Sequence, residues 1–313
     1  FPTRRSSDLG SSYNSVYLGG IAGFTRFVNL TSCTNSGTIS NTGAVSSYVY
    51  AGGLLGYVAN DSVSKGNSID SCSNEGVVSN TADAGNTIEV GGIAGFVRQA
   101  TMTTLTNSGA VSNSGIASGT SSTSGVFIGG MVGYVERNCT MTETKATNRG
   151  DVTNSGSGKM VSIGGIFGRN SGGAITATGT SSKYLQNEGT ISDESSTDAD
   201  DLSIGGIVGY TTTGIKLQYA RNYGDVQVLG GTRDADVEIG GIAGWLDNNA
   251  LNVNNCRDYG DVTVSATITC SLFAGGIVGL FNVNHKTDKY NLYYGATVDT
   301  HLATVSRSEE RRV

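Results

Sequence analysis

The chain has 313 residues, of which 47 are Gly and one is Pro; 37% are hydrophobic, 15% are charged, and the formal net charge is −6. Glycine enrichment without proline or a Gly-x-y triplet excludes collagen and argues against a disordered Pro/Gly-rich linker. No apolar run reaches the about 18 to 20 residues that span a bilayer, and an acidic chain without a basic stripe has no electrostatic footprint for nucleic acid.

The two ends of the chain differ from its Ser-, Thr-, Asn- and Gly-rich interior. If RSEERR at 307–312 is encoded AGA TCG GAA GAG CGT CGT, its reverse complement in a shifted frame encodes RRSSDL, which is the sequence at 4–9. Two ends of one gene have no reason to be reverse complements. We therefore interpret 1–9 and 307–313 as translated sequencing adapter, and 10–306 as a single proline-free repeat region.

A first phrase recurs eight times along the chain. Its copies are LGGIAGF at 18–24, AGGLLGY at 51–57, VGGIAGF at 90–96, IGGMVGY at 128–134, IGGIFGR at 163–169, IGGIVGY at 204–210, IGGIAGW at 239–245 and AGGIVGL at 274–280. The first Gly of each pair is Gly19, Gly52, Gly91, Gly129, Gly164, Gly205, Gly240 or Gly275. Period-two alternation predicts one continuous strand over 88–97, with its even-numbered residues on one face.

The glycines and the aliphatic residue of this phrase carry two further predictions. Because glycine weakens an isolated strand, its return at three fixed places predicts that another backbone or a layer of side chains approaches closely. Stacked copies would also form one aliphatic row, made of Ile21, Leu54, Ile93, Met131, Ile166, Ile207, Ile242 and Ile277.

A second phrase, N-x-G followed by Val or Ile, lies between consecutive copies of the first. Its copies are TNSGTISN at 34–41, SNEGVVSN at 73–80, TNSGAVSN at 106–113, TNRGDVTN at 147–154, QNEGTISD at 186–193, RNYGDVQV at 221–228 and RDYGDVTV at 257–264. Asn and Gly tolerate positive φ, so the phrase predicts a corner between two short strands. Stacking predicts a ladder of side-chain amides from Asn35, Asn74, Asn107, Asn148, Asn187 and Asn222, with Asp258 as the exception.

A repeat of about 37 residues with three strand-like segments and no helical periodicity predicts an all-β fold, a right-handed parallel β-helix or β-solenoid of about eight repeats. Eight coils at the strand spacing of about 4.8 Å would form a rod about 38 Å long, and twice that if each repeat were two coils. A stack of antiparallel hairpins is the alternative, but the links are longer and more variable than two-residue hairpin turns.

In these two phrases the chain resembles the GLUG-motif repeats of bacterial surface proteins, where GG-aliphatic-x-G alternates with N-x-G-x-V. The resemblance covers about residues 16 to 298, departs in spacing, and has a degenerate last copy, YYGATV at 293–298. It implies a non-catalytic module, exported to the cell surface or secreted, in adhesin-like or protease-associated proteins. It assigns no binding residues.

Few residues suggest chemistry. Clustered carboxylates can bind calcium, and Asp193, Glu194, Asp198, Asp200 and Asp201 lie in one predicted loop, although a solvated acidic loop is the favoured interpretation. Cys33, Cys72 and Cys256 occupy a slot that other copies fill with Leu or Ala, which indicates buried small side chains rather than a disulfide or a metal site. Two His in the chain leave little for imidazole catalysis, and we expect no cofactor.

We therefore expect a non-enzymatic, extracellular or cell-surface stalk or adhesin-like module. Its expected partners are a host or cell-surface glycan or protein, contacted through the longest links, and neighbouring domains of a longer chain. The alternative is a carbohydrate-binding or carbohydrate-active β-helix of the polysaccharide lyase or hydrolase kind. That alternative requires a groove with aromatic and charged side chains together, which Tyr48, Tyr50, Phe127 and Phe273 could begin to form.

Overall fold

The computed structural model describes residues 14–60, 66–142, 145–195, 201–247, 251–282, 292–294 and 298–300. These residues form no helix, and their strands stack in parallel as a β-solenoid of about seven turns, roughly 36 residues apart. The predicted fold class is thereby confirmed. Among the same residues no helix is long and apolar enough to cross a membrane. Both terminal segments interpreted as adapter, 1–9 and 307–313, lie outside the described residues.

Each repeat makes one coil. Gly19 pairs with Gly52 and Gly52 pairs with Gly91, in parallel register, so consecutive repeats occupy consecutive levels. The antiparallel hairpin alternative is therefore wrong, and the question of one or two coils per repeat is resolved in favour of one. Each coil contributes five short strands rather than the three predicted segments, and these strands build five parallel sheets that we name A to E in chain order.

Sheets A and B lie on either side of the Gly-Gly pair. Sheet A consists of Ser15–Gly19, Tyr48–Gly52, Thr87–Gly91, Gly125–Gly129, Met160–Gly164, Asp201–Gly205, Asp236–Gly240 and Leu272–Gly275. Sheet B consists of Ala22–Arg26, Leu55–Ala59, Ala94–Val97, Val132–Val135, Phe167–Asn170, Val208–Thr211, Ala243–Leu246 and Val278–Phe281. We number the levels of the rod 1 to 8 by the strands of sheet A.

Sheets C, D and E complete each coil. Sheet C consists of Asn29–Thr31, Asn67–Asp70, Ala100–Thr103, Cys139–Thr142, Ile175–Thr178, Ile215–Gln218 and Leu251–Asn254. Sheet D consists of Thr34–Asn35, Ser73–Asn74, Thr106–Asn107, Ala146–Asn148, Leu185–Asn187, Arg221–Asn222, Cys256–Asp258 and Leu292–Tyr294. Sheet E consists of Ile39–Asn41, Val78–Asn80, Val111–Asn113, Val152–Asn154, Ile191–Asp193, Val226–Val228, Val262–Val264 and Val298–Thr300. A separate two-stranded parallel sheet is formed by Thr232–Arg233 and Thr267–Ile268.

The first phrase is two strands joined at a corner, so the predicted continuous strand is wrong. Sheet A ends at Gly91 and sheet B begins at Ala94. Gly92 fits this corner because it has no Cβ, which would collide with the carbonyl oxygen of Gly130 and the amide of Asn107. The close approach predicted from the glycines is thus present. The corner interrupts the period-two alternation of inward and outward side chains, so the consecutive residues Ile93 and Ala94 are both buried in the interior.

The second phrase also turns differently from the prediction. Positive φ angles occur before it, where sheet C passes into sheet D, at Ser32, Ser71, Thr104, Tyr219 and Asn255. At the N-x-G turn itself the Asn side chain closes the turn, as when Asn107 Nδ2 donates to the Gly109 carbonyl at 2.8 Å. The Gly is required there by stacking, since a Cβ on Gly109 would collide with the Gly76 carbonyl above it.

The rod contains two apolar cores side by side. One lies between sheets B, C and D and includes the aliphatic row from Leu54 to Ile242, while the other lies between sheets A and E. The Gly-Gly corner packs against the Asn side chains of sheet D, as Gly53 does against Asn74, and so separates the two cores. The aliphatic row is buried at levels 2 to 7, but Ile21 at level 1 is 44% exposed.

Candidate functional site

The Asn residues of sheet D form a continuous hydrogen-bonded ladder. Each Nδ2 donates to the Oδ1 of the next level at 2.7 to 2.9 Å, through Asn35, Asn74, Asn107, Asn148, Asn187, Asn222 and finally Asp258. Each of the six Nδ2 atoms also donates to a carbonyl two residues along its own chain. These buried amides are therefore satisfied by their neighbours, which makes the ladder an internal structural element rather than a binding surface.

A second ladder, which the sequence analysis missed, runs along the end of sheet E. It passes through Asn41, Asn80, Asn113 and Asn154 to Asp193, with steps of 2.7 to 3.0 Å. The signal was present, because the last position of the second phrase reads N, N, N, N, D before it changes to Val at 228 and 264. The ladder ends where that column becomes apolar.

Both ladders end in an aspartate, because an amide that donates in one direction needs a final acceptor. Asp193 accepts from Asn154 at Oδ1, and from Ser195 at 2.9 Å and Arg233 at 3.0 Å at Oδ2. Burial raises the pKa of Asp193, and the hydrogen bond from Asn154 and the charge of Arg233 oppose that rise. The Asp193–Arg233 ion pair is 1% exposed on both sides.

Asp258 ends the other ladder, and no ion pair joins it to a residue that the structure describes. Its Oδ1 accepts from Asn222 at 2.9 Å and from the Gly260 amide at 3.4 Å, while its buried Oδ2 has no hydrogen-bond partner in the described part of the chain. Burial raises the pKa of Asp258 to about 7. The carboxyl group therefore occupies an amide site at the expense of its charged form.

The three calcium candidates that the structure describes lie in different settings. Asp193 is an interior ladder residue rather than part of a loop, Glu194 beside it is exposed, and Asp201 begins a strand of sheet A. Asp198 and Asp200 lie outside the described residues. Within the described residues, no group of three His, Cys, Asp or Glu side chains could hold a metal ion.

The cysteines of the repeat slot pack as small side chains, whereas Cys270 is exposed. Cys72 and Cys256 are buried, Cys33 is half-buried, and none of the five forms a disulfide. Burial raises the pKa of the Cys256 thiol to about 12, so this thiol is protonated and unreactive at neutral pH.

The outward side chains of sheets A and B meet along the outside of the Gly-Gly corner, in a line we call the seam. Sheet A contributes one residue per level, in the order Tyr17, Tyr50, Glu89, Phe127, Ser162, Ser203, Glu238 and Phe273. Sheet B contributes Phe24, Tyr57, Phe96, Tyr134, Arg169, Tyr210, Trp245 and Leu280. Tyr50, Phe127 and Phe273 were predicted to mark such a face, whereas the sheet B column was not recognised.

The upper seam, at levels 1 to 4, is mainly aromatic, and its rings shield one another from solvent. Tyr57 stacks on Phe96 at 4.3 Å between ring centroids, and Tyr50 meets Tyr57 edge-on at 4.9 Å. Tyr48, the remaining residue predicted for this face, stacks beside Tyr50 at 5.7 Å. The rings cover one another, so Tyr50 and Phe127 are 7% and 1% exposed. This part of the seam therefore acts as an external layer of packing.

The lower seam, at levels 5 to 7, is polar and incompletely satisfied. The Arg169 guanidinium lies 4.7 Å from the Phe127 ring centre and 5.2 Å from that of Tyr210. Ser203 donates to Glu238 Oε2 at 2.9 Å, and burial raises the pKa of Glu238 to about 8. Arg169 Nε and Trp245 Nε1 are buried, with no hydrogen-bond partner among the residues that the structure describes.

One further acid lies on the seam at level 3. Glu89 Oε1 accepts from the Thr87 hydroxyl at 3.0 Å, while its buried Oε2 has no hydrogen-bond partner. Burial raises the pKa of Glu89 well above its usual value. Buried acids and an arginine on one line of aromatic residues are therefore the strongest concentration of chemical groups in the described part of the chain.

Comparisons with known proteins do not name a relative. No family model, no curated protein and no solved structure matches the chain.

Proposed function

We propose that this β-solenoid is a non-enzymatic stalk or adhesin-like module of a bacterial surface protein. It would project neighbouring domains away from the cell and contact a host or cell-surface glycan or protein. The observation that carries the proposal is the unbroken continuation of five sheets and an amide ladder from level to level. A stack whose coils contact only their neighbours extends by adding coils, and this is the property a stalk requires.

The use of polar groups supports the same proposal. Asn side chains and Asp193 make their hydrogen bonds inside the stack, and the buried thiols of Cys139 and Cys256 face apolar surroundings. These groups hold coils together and are inaccessible to a substrate. The surface left for recognition consists of the links between strands.

The location is tested by expressing the gene with its native flanking sequence in a bacterial host and treating intact cells with protease. We expect the chain to be digested on intact cells and an internal cytoplasmic protein to survive. Protection of the chain until the cells are lysed would overturn the surface assignment. Release of reducing sugars or unsaturated products from polysaccharides by the purified chain would overturn the non-enzymatic assignment.

A second candidate, a carbohydrate-binding β-helix, is favoured by the lower seam. Aromatic rings, hydroxyl groups and unpaired buried donors occur there together on one side of the rod, a combination that saccharide sites use. The two candidates are compatible, because a stalk can carry a glycan site along its length.

A further inference from the structure

Cys33 and Cys72 are neighbours in the column of residues that precedes the Asn ladder of sheet D. Thr34 pairs with Ser73 in parallel register, so the cysteines just before them lie one above the other at levels 1 and 2. Below them the described column continues with Leu105, Ala146, Leu185, Ala220, Cys256 and Leu292. Cys33 and Cys72 are therefore the one pair of cysteines on consecutive levels in the described part of this column.

The two thiols have the same orientation and are in contact across the levels. Each donates to the carbonyl two residues earlier in its own chain, Cys33 to Thr31 at 3.5 Å and Cys72 to Asp70 at 3.0 Å. The Cys33 amide also donates to Cys72 Sγ at 3.4 Å. Stacked strands place equivalent Cα atoms about 4.8 Å apart, within the range of about 4.4 to 6.8 Å that a disulfide accepts.

The position of the pair at the end of the rod gives the two cysteines different roles. Cys33 is half-buried at level 1, whereas Cys72 is 1% exposed. Burial raises the pKa of the Cys72 thiol, the hydrogen bond from the Cys33 amide opposes that rise, and the Cys33 thiol adds to it. In a disulfide the two Cβ atoms lie about 3.5 to 4.5 Å apart, closer than stacked strands hold them. The strand Thr34–Asn35 can supply this shift, because among the described strands it is paired on one side only.

We propose that Cys33 and Cys72 form a dithiol that a small-molecule disulfide, such as oxidised glutathione, converts into a disulfide bond between levels 1 and 2. The Cys33 thiolate attacks one glutathione sulfur, which breaks the glutathione disulfide and releases the first glutathione. Cys72 loses its proton and attacks the Cys33 sulfur, which releases the second glutathione. The two cysteines lose two electrons and two protons, and the two glutathione thiols receive them.

The bond fastens the coil at the end of the rod, where packing is weakest. Ile21 and Phe24 of this coil are 44% and 47% exposed, so fewer side-chain contacts oppose its opening than oppose the opening of a central coil. A covalent bond from Cys33 to Cys72 prevents level 1 from separating from level 2 and restricts the unfolded chain. Opening of the end coil thereby becomes dependent on the redox conditions, whatever the rod projects or binds.

The test is oxidation of the folded full chain with oxidised glutathione, followed by acid quenching, alkylation and mass spectrometry of a tryptic digest. Trypsin places Cys33 in the peptide 27–65 and Cys72 in the peptide 66–98, so the bond joins two peptides. We expect these peptides to be linked with the loss of two hydrogens, and faster at pH 9 than at pH 7, because the Cys72 thiol must ionise. Cys256, buried in the same column without a cysteine beside it, is the internal control and should stay reduced.

Amide hydrogen exchange measures the consequence for the end coil. Oxidation should slow exchange in the strand Thr34–Asn35 about tenfold or more, since a disulfide typically stabilises by more than a factor of ten represents. Cys33→Ser should abolish both the link and the slowing. Cys270→Ser removes the exposed cysteine and should leave both unchanged. Circular dichroism confirms that each variant is folded.

Other outcomes contradict the proposal. No reaction at either cysteine, a glutathione adduct on Cys33 that persists beside a reduced Cys72, linked peptides that form only in urea, or unchanged exchange in the oxidised chain would each overturn it. None of these results alters the protease accessibility expected of a surface stalk, so the two proposals fail separately.

Discussion

Asp258 occupies the seventh position of a ladder whose other six positions are Asn. Burial at that position destabilises the charged form of its carboxyl group. An Asn there would donate to the carbonyl two residues on, as Asn222 does to Gly224 at 2.6 Å. The carboxylate has no proton to donate, and its Oδ2 is left buried without a partner. The protonated acid resembles the amide more closely, and this agrees with the raised pKa of Asp258.

This raised pKa predicts a pH-dependent stability. Because folding raises the pKa of Asp258 from 3.8 to about 7, the folded state binds a proton that the unfolded chain releases, and stability falls as the pH rises between these values. Asp258→Asn should match the native free energy of unfolding near pH 4 and exceed it by about 2 to 4 kcal/mol at pH 9. Urea unfolding followed by Trp245 fluorescence measures this difference. Glu75→Gln, at an exposed acid in the turn beside Asn74, is the control, and a gain that is equal at both pH values would contradict the prediction.

Substitution of an Asn in the middle of the ladder should lower the free energy of unfolding more than substitution of an exposed residue beside the ladder. Asn148→Ala removes the bonds to Asn187 and Gly150 and leaves the Asn107 amide without its acceptor. Unpaired buried groups cost about 1 to 3 kcal/mol each, so we expect a loss of about 2 to 5 kcal/mol. Ser108→Ala, at an exposed position next to the ladder, should change the free energy of unfolding little. Both variants are measured by urea unfolding with circular dichroism. Similar losses of unfolding free energy in the two would show that the ladder does not stabilise the fold.

At the scale of the element, the corner depends on glycine for space rather than for an unusual φ. Gly92→Ala should destabilise the fold by about 3 kcal/mol or more, because its Cβ meets the Gly130 backbone and the Asn107 amide, neither of which can move freely. Gly66→Ala provides a matched control, since no atom of the described residues lies within 4 Å of its added Cβ. Thermal unfolding of the two variants tests the prediction, and an equally tolerated Gly92→Ala would show that the corner can open.

Features that recur at the same position of every repeat can be predicted from the sequence. The bends of the chain within one repeat cannot. Glycines at three fixed positions indicated close packing, and Asn in one column indicated stacking, because both signals are copied in every coil. The bend at Gly92–Ile93 was missed, since alternation on either side of a corner resembles one strand. Phe96 was accordingly placed on the wrong face, although it belongs with Glu89 and Tyr50 on the seam. The seam itself depends on pairing two columns seven residues apart, which only the corner brings together.

For the whole molecule, the stack implies that stability depends on level. Each coil packs against one neighbour on either side, so an end coil lacks half of the contacts of a central one. The exposures at level 1 follow this rule: Tyr17 and Phe24 are 41% and 47% exposed, while Tyr50 one level further in is 7% exposed. The same side chain should therefore contribute more to the free energy of unfolding in a central coil than in an end coil of the same row.

The aliphatic row tests this dependence with a single chemical change. Ile93 is fully buried at level 3, and Ile21 occupies the equivalent position at level 1 with 44% of its surface exposed. Ile93→Ala should cost about 2 to 5 kcal/mol, as expected when a large aliphatic side chain leaves a cavity in a core. Ile21→Ala should cost less than about 1 kcal/mol, because solvent already reaches the site. Amide hydrogen exchange adds the spatial readout: protection should fall in the strands around level 3 in the first variant and only at level 1 in the second. Equal losses at the two positions would contradict the dependence on burial, and a fall in protection along the whole rod in the first variant would mean that the coils unfold as one unit.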